Sequence, residues 1–426
     1  IKLEQDCISK KIIQFLELGI IASEGIDRIT VDTKETQVAK DWINKKDGSL
    51  VIVAPYGSGK THMNRFMEKI ALDQGYVVSY LQFNRQTPMH LPGKIFEHVF
   101  RNMKYLKEGK IFNIHNIIDE YVRFKHSKGQ NNSSWFFYHP YLQPLSRIVL
   151  DLHNKGKSID DPRYFRMWKY IFEGGPKYQY GMTWMPPNNY STTSNLYFDI
   201  FIRINLAAQE LGHKGIILLF DELEQSDYTG RLDWKIKSTR FMKALSLISK
   251  NDSILATEKV DRRYDDEIGK NITKGLETNL IYFGRKDNIT RYIPSGNNLD
   301  LNIKCAFSIV EGQGVTFYEL AKEFGFPIIS LEKLTYEEEI QLIKKIILIF
   351  KESVKNESQD YEFYNEFIKD FELVEEKFIE KIINIIESDE IDNSVRRLVR
   401  LTVKGLSIFK QYDGKRKNLE ELLMLK

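Results

Sequence analysis

The feature that most restricts the fold is the stretch of residues 49–61. The apolar run Leu50-Val51-Ile52-Val53 leads into Ala54-Pro55-Tyr56-Gly57-Ser58-Gly59-Lys60-Thr61, and a helix-patterned segment then reaches about residue 74. A second apolar run, residues 76–83, reads as another strand. A strand, a short loop, a helix and a further strand call for a parallel sheet, because parallel neighbours need a crossover between them. The loop itself meets three demands of phosphate binding. Gly57 and Gly59 let consecutive backbone N–H groups turn towards one anion. The helix that starts at the loop presents its positive end to that anion. Lys60 and Thr61 supply a cation for the β- and γ-phosphates and a hydroxyl for Mg²⁺. The one departure from G-x-x-x-x-G-K-[ST] is Ala54 at the first glycine.

A second constellation lies 161 positions beyond Lys60. Ile216-Ile217-Leu218-Leu219-Phe220 is a buried-strand pattern that ends in Asp221-Glu222. Carboxylates at the C-terminal end of a parallel strand lie at the crevice where such sheets bind ligands. Asp221 is expected to hold Mg²⁺ and Glu222 to orient the water that attacks the γ-phosphate. Glu224 reads more simply as a charge at a helix start.

Along the rest of the chain, helices are expected over residues 8–18, 35–42, 199–211 and 237–249, with a short β-like segment at 26–32. Residues 94–214 look less regular and are rich in aromatics. Further strands are read at 253–257, 280–283 and 326–331, the last closing the core. Past residue 335 the pattern is helical throughout, over 337–354, 361–369, 374–388 and 394–410.

The net charge of +3 is uninformative, but its distribution is not. Residues 101–180 carry 14 Lys/Arg against 7 Asp/Glu, interleaved with Trp135, Phe136, Phe137, Tyr138, Tyr141, Trp168 and Tyr170. Such a mixture can follow a nucleic-acid backbone and stack bases, or be an insert packed on its own aromatic core. Residues 351–390 reverse the sign, with 13 acidic and 5 basic side chains, a solvated helical face or a docking surface. Cys7 and Cys305 are too few for a disulfide framework and have no metal-ligand spacing, which fits reduced thiols in the cytoplasm. No apolar run reaches membrane-spanning length, and the start lacks the form of a secretory signal. With Ile1 in place of Met, the chain is expected to lack its true N-terminus.

Gly57-Ser58-Gly59-Lys60-Thr61 together with Asp221-Glu222 resemble the AAA+ ATPases. In that resemblance Ser253-Ile254-Leu255-Ala256-Thr257 corresponds to the sensor-1 strand, with Thr257 at the polar position. Asn393-Ser394-Val395-Arg396-Arg397-Leu398 corresponds to the sensor-2 start of a lid helix, with Arg396 facing the nucleotide. Tyr56 to His62, Phe83-Asn84-Arg85-Gln86-Thr87-Pro88 and Leu219-Phe220-Asp221-Glu222-Leu223-Glu224 are similar, more closely, to the BrxD-like ATP-binding family of BREX phage-defence loci, itself akin to origin-recognition-type AAA+ proteins. The resemblance implies an ATPase of phage defence or a related DNA transaction. Its partners would be further copies of itself, a helicase or another defence-system protein, or DNA held by the basic insert.

The expectation is therefore an α/β fold: a 46–332 P-loop core of AAA+ type with a parallel sheet and an insert at about 94–198. A helical segment over 1–45 precedes it, and a helical lid over 333–426 follows. The nucleotide would be held by residues 54–62, Thr257 and Arg396, with Mg²⁺ on Thr61 and Asp221. Lys60, Asp221 and Glu222 would act in hydrolysis. Thr33-Lys34-Glu35 is read either as an adenine contact or as a helix cap. His62 need not be catalytic. Arg262, Arg263 and Arg285 are candidates for an arginine acting in trans. No guanine-selective motif occurs, which favours ATP. A slow nucleotide-gated switch that scaffolds partners is the second reading. Only 29 residues follow Arg397, too few for a lid remainder and a winged-helix domain.

Overall fold

The computed structural model describes residues 2–21, 24–45, 48–130, 136, 139, 142–172, 190–226, 232–252, 260–265, 270–275, 281–282, 301–312, 315–357, 361–388 and 394–411. The chain opens with α1 (Lys2–Glu17), after which Gly19 adopts φ +69°. The segment expected to be β-like begins instead as a helical turn, α2 (Ile26–Ile29). Its β-branched residues suggested a strand, but Ile26 and Ile29 are spaced by three and both buried. Gly25, at φ +70°, leads in, and Thr30 Oγ1 closes the turn by donating to Ile26 O at 2.7 Å. Next comes α3 (Lys34–Asn44).

β1 (Ser49–Ala54) is buried at every position and is followed across the glycine loop by α4 (Lys60–Asp73) and β2 (Val77–Gln82). After α5 (Pro92–Asn102) comes an antiparallel hairpin, β3 (Lys104–Lys107) and β4 (Lys110–Asn113). β5 (Ile216–Asp221) pairs in parallel with β2, from Val77↔Ile216 to Gln82↔Asp221. The seven-stranded sheet has the order β10-β1-β9-β5-β2-β3-β4, where β9 is Ile303–Val310 and β10 is Ile328–Ser330. The sheet is parallel between β2 and β5 and between β5 and β9, and antiparallel at β2–β3.

β3, β4, β6 (Val260–Asp265), β7 (Lys270–Gly275) and β9 are strands that sequence patterning missed, and β9 lies between β1 and β5. A lysine and a serine interrupt its apolar run, yet Lys304 is wholly buried. Its Nζ donates to Trp42 O and Ile43 O, each at 2.8 Å, and to Lys45 O. These carbonyls end α3, where a helix has no backbone donors of its own. A second, antiparallel sheet is formed by β6 (Val260–Asp265), β7 (Lys270–Gly275) and β8 (Ile281–Tyr282). The strand expected at 280–283 therefore belongs, in its described part, outside the main sheet.

The stretch expected to be less regular is largely helical: α5, α6 (Ile114–Ser127), α7 (Leu142–Asn154), α8 (Pro162–Phe172) and α9 (Tyr190–Glu210). Ile95, Phe96, Val99 and Phe100 form one buried face of α5. Phe96 meets Phe198 edge-on at 5.0 Å, and Phe100 meets Phe172 at 4.6 Å. The aromatic density is thus the core of this region. α10 (Leu232–Ser249) and α11 (Val315–Glu323) lie on either side of the second sheet in sequence.

The chain divides into two compact units. One comprises residues 1–41, 53–69 and 329–426, the other residues 42–52 and 70–328. In the first, four helices follow residue 335: α12 (Tyr336–Glu357), α13 (Tyr361–Glu372), α14 (Glu375–Glu387) and α15 (Val395–Gln411). α1 packs on α12 and α15. Glu352 on α12 accepts from Ser9 Oγ at 2.6 Å and from Arg28 Nη2 at 2.5 Å, so α1 and α2 are tied to α12.

Candidate active site

Within the first unit, the loop between β1 and α4 has the geometry its sequence requires. Gly57 and Gly59 take φ +81° and +99°, backbone that a side chain would strain. Around Gly59 the space is open, so conformation and not crowding calls for glycine there. Lys60 is buried, and its Nζ donates to Ala54 O and Pro55 O, each at 3.1 Å. Ser58 Oγ also donates to Pro55 O, at 2.5 Å. These bonds fold the loop back on the end of β1 and hold the amine inside its curve. Thr61 occupies the first turn of α4.

His62 follows, its Nε2 2.9 Å from Thr30 Oγ1. Because that hydroxyl gives its hydrogen to Ile26 O, His62 Nε2 must donate, which leaves Nδ1 as the bare nitrogen. Burial, and then the positive charge of Lys345, pull the imidazole pKa down to about 4. His62 is therefore neutral near pH 7 and serves as a strut behind the loop. Thr33 and Thr36 exchange hydrogen bonds at the start of α3, at 2.8 and 3.3 Å, so the helix-cap reading of this segment accounts for its geometry.

The start of α15 belongs to the same unit. Arg396 lies with Cζ 5.3 Å from the centroid of the Tyr56 ring, and its Nη1 is 3.4 Å from the phenol oxygen. A Cβ on Gly57 would stand 3.2 Å from Ser394 Cβ, so the helix start rests on the loop.

Within the second unit, β5 delivers Asp221 fully buried. Tyr80 on β2 donates its hydroxyl to Asp221 Oδ2 at 2.9 Å, and the Glu222 amide donates to Oδ1 at 3.0 Å. The carboxylate is thus fixed at both oxygens. Glu222 itself has φ +54°, a left-handed conformation that costs a non-glycine residue on the order of 1 kcal/mol. Glu224 lies in the 3₁₀ turn Leu223–Ser226 and accepts from the Val310 amide at 3.2 Å, fastening the end of β9. Tyr80 escaped the sequence reading. Its hydroxyl is one of several polar groups in β2, beside Ser79 and Gln82, and its register beside β5 is a property of the pairing.

Other expected residues fall differently. Thr257 and the whole 253–257 segment lie outside the described residues, as do Arg285 and Asn393. Arg262 and Arg263 are on β6. On the side of β5 away from β2 lies β9, where Ser308 stands one position beyond the last paired residue, Phe307. Of the insert's aromatics, Phe136, Trp168 and Tyr170 are buried and offer no face to a nucleic-acid base. Trp135, Phe137, Tyr138 and Tyr141 lie outside the described residues.

Among the described residues no group of three His, Cys, Asp or Glu side chains could hold an ion. Mg²⁺ typically takes one or two protein oxygens and completes its shell with phosphates and water. The Thr61 hydroxyl and the Asp221 carboxylate are oxygens of that kind. Among the described residues, no helix is long and apolar enough to cross a membrane.

Residues 5–133 match the family model described as BREX system ATP-binding protein BrxC/D. The matched stretch contains the glycine loop, Lys60, Thr61 and the Phe83 to Pro88 segment, so the resemblance read from those motifs holds there. No curated protein matches the chain.

Proposed function

Starting from the match of residues 5–133 to the family described as BREX system ATP-binding protein BrxC/D, we propose that the chain binds ATP on residues 54–62 and hydrolyses it with Mg²⁺, as an AAA+-type ATPase acting with other components of a phage-defence system. The observation that carries the reading is the loop: two glycines at positive φ, a buried lysine amine curled inside, and a helix starting at that lysine. Its amides and Lys60 would bind the β- and γ-phosphates and neutralise charge that grows on them during transfer. Mg²⁺, bound by Thr61 and Asp221, would supply electrostatic stabilisation of the transferring phosphoryl group. Tyr80 keeps the Asp221 carboxylate in one orientation, and Glu222 orients the attacking water and takes up its proton. The strained backbone at Glu222 supports that role, since such strain persists where function requires it. Arg396 acts from the helical tail as the residue that responds to the terminal phosphate. Self-assembly, a helicase partner and DNA remain parts of this proposal that rest on the family resemblance and on the charge of residues 101–180.

The test is steady-state ATP hydrolysis and equilibrium ATP binding by wild type, Lys60→Ala and Glu222→Gln, with mass measured in the same buffer. Glu222→Gln should bind ATP as wild type does and lose turnover by about a hundredfold or more. Lys60→Ala should lose binding. Normal turnover in Glu222→Gln would remove that residue from the chemistry. Tight ATP binding by wild type without measurable turnover, with or without DNA, would instead favour a nucleotide-gated scaffold.

A further inference from the structure

We propose that Tyr56 is a positioning residue: its ring holds the Arg396 guanidinium at the phosphate loop and so lets Arg396 discriminate a nucleoside triphosphate from a diphosphate. The inference rests on the ATP reading of that loop and adds a residue that motif matching leaves as an unspecified position.

Three observations converge. First, Tyr56 is 72% exposed, an unusual setting for a large aromatic in the middle of a tight loop. Its ring is engaged on one side by Arg396, whose Cζ lies 5.3 Å from the centroid, within cation–π range. The bond from Nη1 to the phenol oxygen is long, 3.4 Å, so the ring face provides most of the hold.

Second, α15 is charged in the wrong sense for an isolated helix. Its first turn contains Arg396 and Arg397 and no acidic residue. Cations at a helix N-terminus oppose the helix dipole, whereas an anion there is favoured. A phosphate brought to this end would turn an unfavourable arrangement into a favourable one.

Third, the approach of helix to loop is built in. Gly57, next to Tyr56, lets Ser394 come within contact distance of the loop backbone. One turn of α15 is thereby docked on residues 56 and 57, with Arg396 aimed along the ring. The guanidinium is planar, so a flat aromatic surface restricts it in a way it would not restrict an ammonium group.

The experiment measures Mg·ATP and Mg·ADP affinities of the full chain by calorimetry for wild type, Tyr56→Phe, Tyr56→Leu, Arg396→Ala and the Tyr56→Leu/Arg396→Ala pair. Arg396→Ala should reduce the preference for ATP over ADP. Tyr56→Leu should reduce it by about two- to fivefold, the worth of an exposed cation–π contact, with the loss falling on ATP affinity more than on ADP affinity. Tyr56→Phe should preserve the preference, and the double variant should be no worse than Arg396→Ala alone. An unchanged ratio in Tyr56→Leu overturns the inference, as do effects that simply multiply. Equal losses of ATP and ADP affinity also overturn it, because the ring would then only shape the loop. Lys60→Ala separates the two levels. A wild type that binds neither nucleotide sinks the ATP reading and this inference together. Lys60-dependent binding with an unaltered ratio in Tyr56→Leu sinks this inference alone.

Discussion

Replacing Lys304 by methionine should destabilise the unit that contains β9 by about 3 kcal/mol. The side chain is fully buried. Its amine serves Trp42 O and Ile43 O at 2.8 Å each, together with Lys45 O, and lies 5.4 Å and 5.8 Å from the Trp42 and Tyr76 ring centroids. Hydrogen bonds from a charged donor contribute roughly 1.5–3 kcal/mol each, so the two well-formed ones alone amount to about 3–6 kcal/mol. Against this stands the cost of burying an ammonium, several kcal/mol, which methionine would avoid. Methionine also leaves the terminal carbonyls of α3 without their donor, at roughly 1–3 kcal/mol for each that stays dry. The balance falls on the side of loss. The assay is urea denaturation followed by tryptophan fluorescence, with amide hydrogen exchange read separately over residues 38–45 and 301–310. Faster exchange in both segments is expected, because one amine joins them. A variant at least as stable as wild type, with exchange unchanged at the end of α3, would refute the reasoning and show that desolvation outweighs the bonds.

Two further substitutions test other parts of the fold. Gly215→Ala should cost about 2 kcal/mol or more, because its Cβ would stand 2.2 Å from the backbone oxygen of Asn302 at a φ of +148°; a melting temperature equal to wild type would contradict this. His62, with its folded pKa near 4 against about 6.5 unfolded, is neutral in the folded state while the unfolded chain takes up a proton between those values. Stability should therefore be flat above about pH 6.5 and fall as pH drops towards 4, by up to about 1.4 kcal/mol per unit from this residue. His62→Gln, which keeps an N–H for Thr30, should flatten that decline, and an unaltered slope in urea midpoints would show that the imidazole does not cause it.

The sequence was most legible where chemistry and local structure coincide. The glycine loop could be placed because its φ values, its lysine and its helix start are all local demands. The end of β5 was equally plain, since an apolar run stopping at two carboxylates leaves few alternatives. Legibility failed where a residue's meaning depends on distant partners. Lys304 reads as a break in a strand until the carbonyls that end α3 are brought to it, and with it the strand beside β5 was missed. The helical turn at Ile26 was misread because β-branched residues favour strands on average, whereas two buried isoleucines three apart need a helix. Trp168 and Tyr170 could stack bases or fill a core, and packing shows the core. Tyr80 belongs to the candidate site through sheet register, which a single sequence does not encode locally.

The position of β9 between β1 and β5 also has a bearing on biosynthesis. β1 is complete at Ala54, but its neighbour is not made until residues 303–310. At roughly 5–20 residues per second, translation of the intervening chain takes on the order of 10–50 s. Throughout that interval Ser-Leu-Val-Ile-Val-Ala, six uncharged residues centred on the strand-favouring Val51-Ile52-Val53, has none of its eventual strand partners. The nascent chain thus carries an adhesive segment that stays uncovered until residues 303–310 and 328–330 have been made. Expression at lower temperature, or with a chaperone that shields extended apolar segments, should raise the soluble yield more than any change at the nucleotide loop.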